Sequence, residues 1–209
     1  MKLEIKGKEI VFTKVPIKFL DDGSYTENMF QHYSKSNLQR TYSKKRFNSL
    51  RLKHAGKYDA HFEKPIGEFI LELKKQGDPE YRKFLNKYGD EKFCNYKIES
   101  FQKDKGLYCY ILNGEIKYVG RCLTNFNSRI NNDYGKITAY NCLLDGQATN
   151  CHLNSILNIF RNETIEIGIY CMKDNAEIKR LETHIISSEL ILDWNIQLQK
   201  DKRPAANSG

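Results

Sequence analysis

Residues 106–122 read Gly106-Leu107-Tyr108-Cys109-Tyr110-Ile111-Leu112-Asn113-Gly114-Glu115-Ile116-Lys117-Tyr118-Val119-Gly120-Arg121-Cys122. Two runs rich in aromatic and branched aliphatic residues flank Asn113-Gly114, a pair that readily takes positive φ at both positions of a two-residue turn. The stretch is therefore expected to be an antiparallel hairpin.

Downstream, Thr124 is placed to cap a helix through Arg129 and Ile130 to about Asp133, with Gly135 beyond it. Lys136–Ala148 reads as a polar loop with an Asp145-Gly146 turn. Thr149 or Asn150 then starts a helix carrying Leu153, Ile156, Leu157 and Phe160 along one side, and Ile165–Met172 reads as a third strand. Asp174 with Glu177 resembles a capping box and opens a helix to about Leu190, before a short extended end at Asp193-Trp194-Asn195-Ile196. The order β-β-α-α-β-α predicts an α+β fold: a small mixed or antiparallel three-stranded sheet flanked by helices.

Upstream, Leu3-Glu4-Ile5 and Glu9–Phe12 alternate around Gly7 as a second hairpin. Ile66–Lys74 has helical apolar spacing, and Asp78-Pro79 to Gly89 brackets another helix. The expected organisation is a basic α+β region over 1–100, a second α+β domain over 101–200 and a loose tail over 201–209, with Pro204–Gly209 its loosest part.

The 209 residues carry a net charge of +8, with a surplus of seven basic residues in 1–100 and of one in 101–209. From Asn28 to Tyr58 there are eight cations (Lys35, Arg40, Lys44, Lys45, Arg46, Arg51, Lys53 and Lys57) and no acid. Such a stretch attracts a polyanion by counterion release, and Tyr33, Tyr42, Phe47 and His54 within it are candidates for stacking on bases. A solvated basic face is the plainer reading. No apolar run reaches the ~20 residues of a membrane span, and no export signal is evident, so a cytoplasmic protein is expected. The six cysteines then read as reduced core residues. Zinc on Cys142, Cys151 and His152 is the alternative, and it lacks a fourth ligand.

The hairpin and the segments C-terminal to it resemble the GIY-YIG nucleases. Gly106-Leu107-Tyr108 stands for the first motif of that family and Tyr118-Val119-Gly120 for the second. Arg129 comes on the next helix, Glu182 on a later one, and Asn195 near the end. The resemblance covers about 106–197; Arg121–Arg129 with Tyr134-Gly135, and then Gly146–Cys151, look more like restriction-type members than homing ones, and Trp194–Gln197 is similar to the end of phage restriction-like nucleases of the family. It implies a DNA phosphodiesterase in which Glu182 holds a divalent cation, Mg²⁺ or alternatively Mn²⁺, and Arg129 grips the phosphate. Tyr108 is then the candidate general base, with Tyr118 as its orienter or replacement, and Asn195 a buttress. The implied partner is double-stranded DNA, bound by a homodimer, with the eight cations above and Arg121 as contacts and no organic cofactor.

Each residue also has an ordinary reading. Glu182, at the edge of the Ile178-Leu181-Ile185 stripe, can pair with Arg180, Lys179 or Arg129. Arg129 can pair with Asp133 four residues on. The tyrosines can be plain strand aromatics and Asn195 a turn residue. His152 and His184 are further candidates for assisting a tyrosine. Three functions stay open: a type II restriction endonuclease, a homing, repair or phage nicking enzyme, and a DNA-binding protein without catalysis.

Overall fold

Asn113 and Gly114 take φ of 51° and 86°, and the strands on either side pair antiparallel. A computed structural model describes residues 1–5, 7–21, 29–188 and 192–195. The strands are β1 (Lys2–Ile5), β2 (Lys8–Val11), β3 (Thr13–Pro16), β4 (Lys18–Phe19), β5 (Tyr96–Lys97), β6 (Gly106–Leu112), β7 (Glu115–Cys122) and β8 (Ile165–Cys171). The helices are α1 (Leu38–Tyr42), α2 (Asn48–Lys53), α3 (Ile66–Lys75), α4 (Ala139–Cys142), α5 (Ala148–Ile159) and α6 (Asn175–Ile186), with a π-helix at Asn127–Tyr134. The protein is α+β. Its described residues fall into two compact units, one drawn from 1–20, 96–136 and 156–195, the other from 21–95 and 137–155.

The first unit holds a four-stranded antiparallel sheet in the order β3-β8-β6-β7. All seven residues of β6 are buried, because both faces of this strand are covered. Leu107, Cys109 and Ile111 pack with Ile178, Leu181 and Ile185 of α6, and Tyr108 and Tyr110 alternate onto the opposite face. The sheet has one strand more than the three expected. Thr13–Pro16 pairs with Ile169–Glu166 along the side of β8 that β6 leaves open, and Phe12 and Val15 are buried. The hairpin around Gly7 forms as β1 and β2.

Four local expectations need correction. Asn125, not Thr124, caps the helix after β7: its side-chain oxygen accepts the Ser128 N–H at 2.8 Å. That helix is wider than an α-helix, as the Gly135 N–H reaches back five residues to the Ile130 carbonyl at 2.7 Å. The segment 78–89 yields only a 3-10 turn, Pro79–Phe84, because Leu85 turns extended to bridge Leu143. The chain at 193–195 is a turn, with the Asn195 N–H on the Leu192 carbonyl, rather than an extended end. Helix α6 ends at Ile186. Leu190, Ile196, Gln197, the tail from 201 and Asn28 lie outside the described residues.

The second unit is built on a core that includes Leu38, Tyr42, Phe47, Leu50, Phe69 and Phe84. Lys136–Ala148 is not a polar loop. Ile137, Ala139, Cys142 and Leu143 enter this core, and the Asn86 N–H and the Leu144 N–H bond across to the Cys142 and Phe84 carbonyls. These contacts, with the β3–β8 pairing, are why neither unit follows a single cut near residue 100. All six cysteines are free thiols, and only Cys171 is exposed. Among the described residues no helix is long and apolar enough to cross a membrane.

Gly106, where β6 begins, has φ of +146°, and a Cβ there would lie 2.0 Å from the Tyr170 carbonyl oxygen on β8. Gly106→Ala is expected to lower stability by about 1–3 kcal/mol, as overpacking beside backbone does. Urea denaturation measures this. An unchanged midpoint would overturn the β6–β8 register.

Candidate active site

Across β6 and β7, Tyr108 faces Gly120 and Tyr110 faces Tyr118. A Cβ at position 120 would lie 2.5 Å from the Tyr108 hydroxyl and 2.8 Å from the Tyr118 ring. The glycine thus leaves the space in which these two rings stack, 6.1 Å between centroids.

The π-helix supplies the other members of the cluster. Arg129 Nε donates to the Tyr108 hydroxyl at 3.2 Å, and its guanidinium lies 4.5 Å from the centre of the Tyr134 ring. The Tyr108 hydroxyl donates to that of Tyr134 at 3.0 Å, and the Tyr134 and Tyr118 hydroxyls are 3.1 Å apart. On an α-helix, residues five apart diverge by ~140°. The wider turn returns Tyr134 to the face that carries Arg129. Arg129 also makes the intrahelical contact read from sequence, 3.4 Å from Asp133.

Glu182 reaches the same neighbourhood from α6. Its carboxylate accepts from Arg121 Nη1 at 2.6 Å, so its partner is the β7 arginine rather than Arg180, Lys179 or Arg129. The Glu182 side chain is 14% exposed and that of Arg121 41%. Burial pushes the Glu182 carboxyl above the usual carboxylate range, and Arg121 and then Arg129 pull it back. Asn195 stands behind the site. Its side-chain oxygen takes the Val119 N–H at 3.0 Å and its amide donates to the Val119 carbonyl at 2.9 Å.

Tyr108 is fully buried, and its phenol is pushed well above the ordinary value by desolvation and then by Tyr118 and Tyr134. Arg129 acts in the opposite direction, but burial outweighs it. Lys117 is occupied by Glu115 and Asp193. Tyr118 retains 6% exposure and Arg129 34% at its side chain, so the accessible edge of the cluster is Tyr118, Arg129, Arg121 and Glu182.

Tyr108, Tyr118, Arg129, Arg121 and Glu182 are thus gathered, with Asn195 in support. Tyr134 also joins them, although the sequence reading, which quoted it beside Gly135, gave it no role. The only available signal was its place immediately before Gly135, one wide turn after Arg129.

The histidines are elsewhere. His184 has no described contact with the tyrosines, and His152, in the second unit, packs on the Tyr88 ring at 4.4 Å. Cys142 and Cys151 have sulfurs 3.8 Å apart in that unit's core, and no group of three His, Cys, Asp or Glu suited to a metal occurs among the described residues. In the basic stretch, Tyr42, Phe47 and His54 are buried and Tyr33 packs against the same core, which removes them as base-stacking groups. Lys44, Lys53 and Lys57 are ion-paired with Asp145, Glu80 and Asp78. Lys35, Arg40, Lys45, Arg46 and Arg51 are exposed. Comparison with family models, with curated proteins and with solved structures finds no match.

A carboxyl whose pKa is raised on folding supports the fold while protonated. That support is present below its unfolded value near ~4.3 and is lost as pH rises through the higher folded value. Glu182→Gln is therefore expected to raise the urea midpoint at neutral pH and to give no gain in acid. A midpoint at neutral pH that is unchanged or lower would contradict the desolvation assigned to this carboxylate.

Proposed function

We propose that the first unit is a GIY-YIG-type active site and that the chain is a metal-dependent DNA endonuclease. The observation that carries this reading is the hydrogen bond from Arg129 to Tyr108, within a cluster where three phenol hydroxyls, two arginines and one carboxylate converge. Phosphodiester hydrolysis needs a proton acceptor for water, positive charge for the phosphorane-like transition state, and help for the leaving oxygen. The cluster offers each of these chemistries.

Glu182 is the group fitted to hold a divalent cation, Mg²⁺ or Mn²⁺. A hard oxygen donor, mostly covered and desolvated, is relieved by positive charge, and Mg²⁺ is commonly held by one or two carboxylates plus substrate phosphate. When bound, such a cation neutralises charge on the phosphate and the leaving oxygen. The remaining work falls to the chain. Arg129 and Arg121 face the non-bridging oxygens, with Arg129 fixed in place by the Tyr108 hydroxyl and the Tyr134 ring. Tyr118 is the phenol through which solvent reaches the set. Tyr108 is the phenol that accepts the Arg129 hydrogen bond, and Tyr134 joins the two hydroxyls into one chain. Asn195 holds β7 at Val119, next to Tyr118 and Gly120.

Among nucleases, a sequence-specific type II restriction endonuclease is the particular assignment we favour, acting as a homodimer on duplex DNA with the cations of residues 35–57 as further contacts. The surplus of exposed positive charge in the second unit supports a large DNA footprint. Homing, repair or phage nicking enzymes use the same chemistry, and defined plasmid fragments, as opposed to nicks or a smear, distinguish the first class.

Arg129→Ala, Glu182→Ala and Tyr108→Phe are each expected to lower Mg²⁺-dependent plasmid cleavage by about 100-fold or more. Near-native cleavage by these variants, with folding verified by circular dichroism, removes the assignment. Because burial holds the Tyr108 phenol well above its ordinary value, the cleavage rate should climb about tenfold per pH unit from neutral into alkaline solution. A rate flat across that range would exclude a phenol of the cluster as the base.

A further inference from the structure

The eight cations of residues 35–57 divide into two sets. Three of them are neutralised within the unit, by Asp145, Glu80 and Asp78. The other five, Lys35, Arg40, Lys45, Arg46 and Arg51, are exposed, and no ion pair among the described residues engages them. Four of the five lie on α1, the 3-10 turn Lys45–Phe47 and α2, which pack on one another.

Helix α2 has a defined inner and outer face. Leu50 is buried in the core. Asn48, Arg51 and Leu52 stand at i, i+3 and i+4, on the side turned away from Leu50, and all three are exposed. Leu52 is 71% exposed, an isobutyl group flanked in sequence by Arg51 and Lys53. The scaffold beneath is rigid. The Tyr42 hydroxyl meets His54 Nδ1 at 2.8 Å, and His54 Nε2 meets Glu80 at 2.7 Å.

We propose that α2 is a base-reading helix for the major groove of duplex DNA. Arg51 and Leu52 set sequence preference, Asn48 lies beside them on the same face, and Lys35, Arg40, Lys45 and Arg46 grip backbone phosphates. The three outer groups carry the chemistry of base-edge recognition: a guanidinium fork for guanine, an amide for adenine and an apolar surface for the thymine methyl. An α-helix with its side chains is about 10–12 Å across, which a groove ~12 Å wide admits. Unpaired cations at its flank supply the charge complementarity that selects a polyanion. This inference rests on DNA being the substrate and is independent of how the first unit cuts it.

The test is selection of the full chain, in the presence of EDTA to prevent cleavage, against a randomised duplex library, followed by titrations of selected and unselected duplexes over a salt series. Wild type is expected to enrich a motif. Arg51→Ala and Leu52→Ala should each relax it at one or two base pairs, where the preference lost is about 5- to 150-fold; Leu52→Ala should leave affinity for unselected duplex little changed, whereas Arg51→Ala should also lose the counterion-release share of one cation there. Lys45→Ala and Arg46→Ala should weaken binding to all sequences alike and reduce the salt slope by about one each. An unaltered motif in both the Arg51 and Leu52 variants, enrichment of no motif by wild type, or an absence of binding overturns the reading role. Mg²⁺-dependent cleavage by the same preparations is read separately, so loss of the nuclease proposal and loss of this one are distinct results.

Discussion

The space above Gly120 is the constraint on which the candidate site rests. Tyr108 lies opposite that glycine across two strands, and any side chain there would collide with its hydroxyl and with the Tyr118 ring. With the space kept clear, the phenols stack closely enough for one helix to hold both. Arg129 and Tyr134 then converge from above, and the resulting burial raises the energy of any charge placed among them. Catalytic groups are commonly tuned in this way: low dielectric makes each remaining charge strong, at a cost in stability.

Much of the first unit was legible in the sequence because its signals are local. Asn113-Gly114 specifies a hairpin by backbone chemistry alone, and the Ile178-Leu181-Ile185 stripe marks the face that α6 buries. The five candidate residues were visible as an ordered set, although Glu182 proved to hold Arg121 rather than any partner inferred from helix spacing. What escaped was non-local or irregular. Thr13–Pro16 gives no strand signal of its own and becomes one only because β8 has an open side. Tyr134 was hidden because spacing rules assume 3.6 residues per turn, and this helix is wider.

The second unit was less legible for a different reason. Residues 35–58 mix cations with aromatics, and composition does not say which face inward. Once folded, Tyr42 and Phe47 are core residues, and the surface belongs to the cations and Leu52. Lys136–Ala148 was misleading in the same way. Its polar residues and its Asp145-Gly146 turn drew the reading, while Ile137, Cys142 and Leu143 supply the burial. Substitutions at single exposed cations are therefore the sound way to probe this region, because removing the stretch would remove its core.

The clasp at Val119 bears on how copies of this protein assemble. Strand β7 is an edge, yet three of its outward backbone groups are already engaged: Asn195 takes both groups of Val119, and the Trp194 N–H takes the Lys117 carbonyl. At the other margin β3 ends in Pro16, which has no N–H to offer. Another strand seeking to extend the sheet would meet fewer open backbone groups at both of these positions.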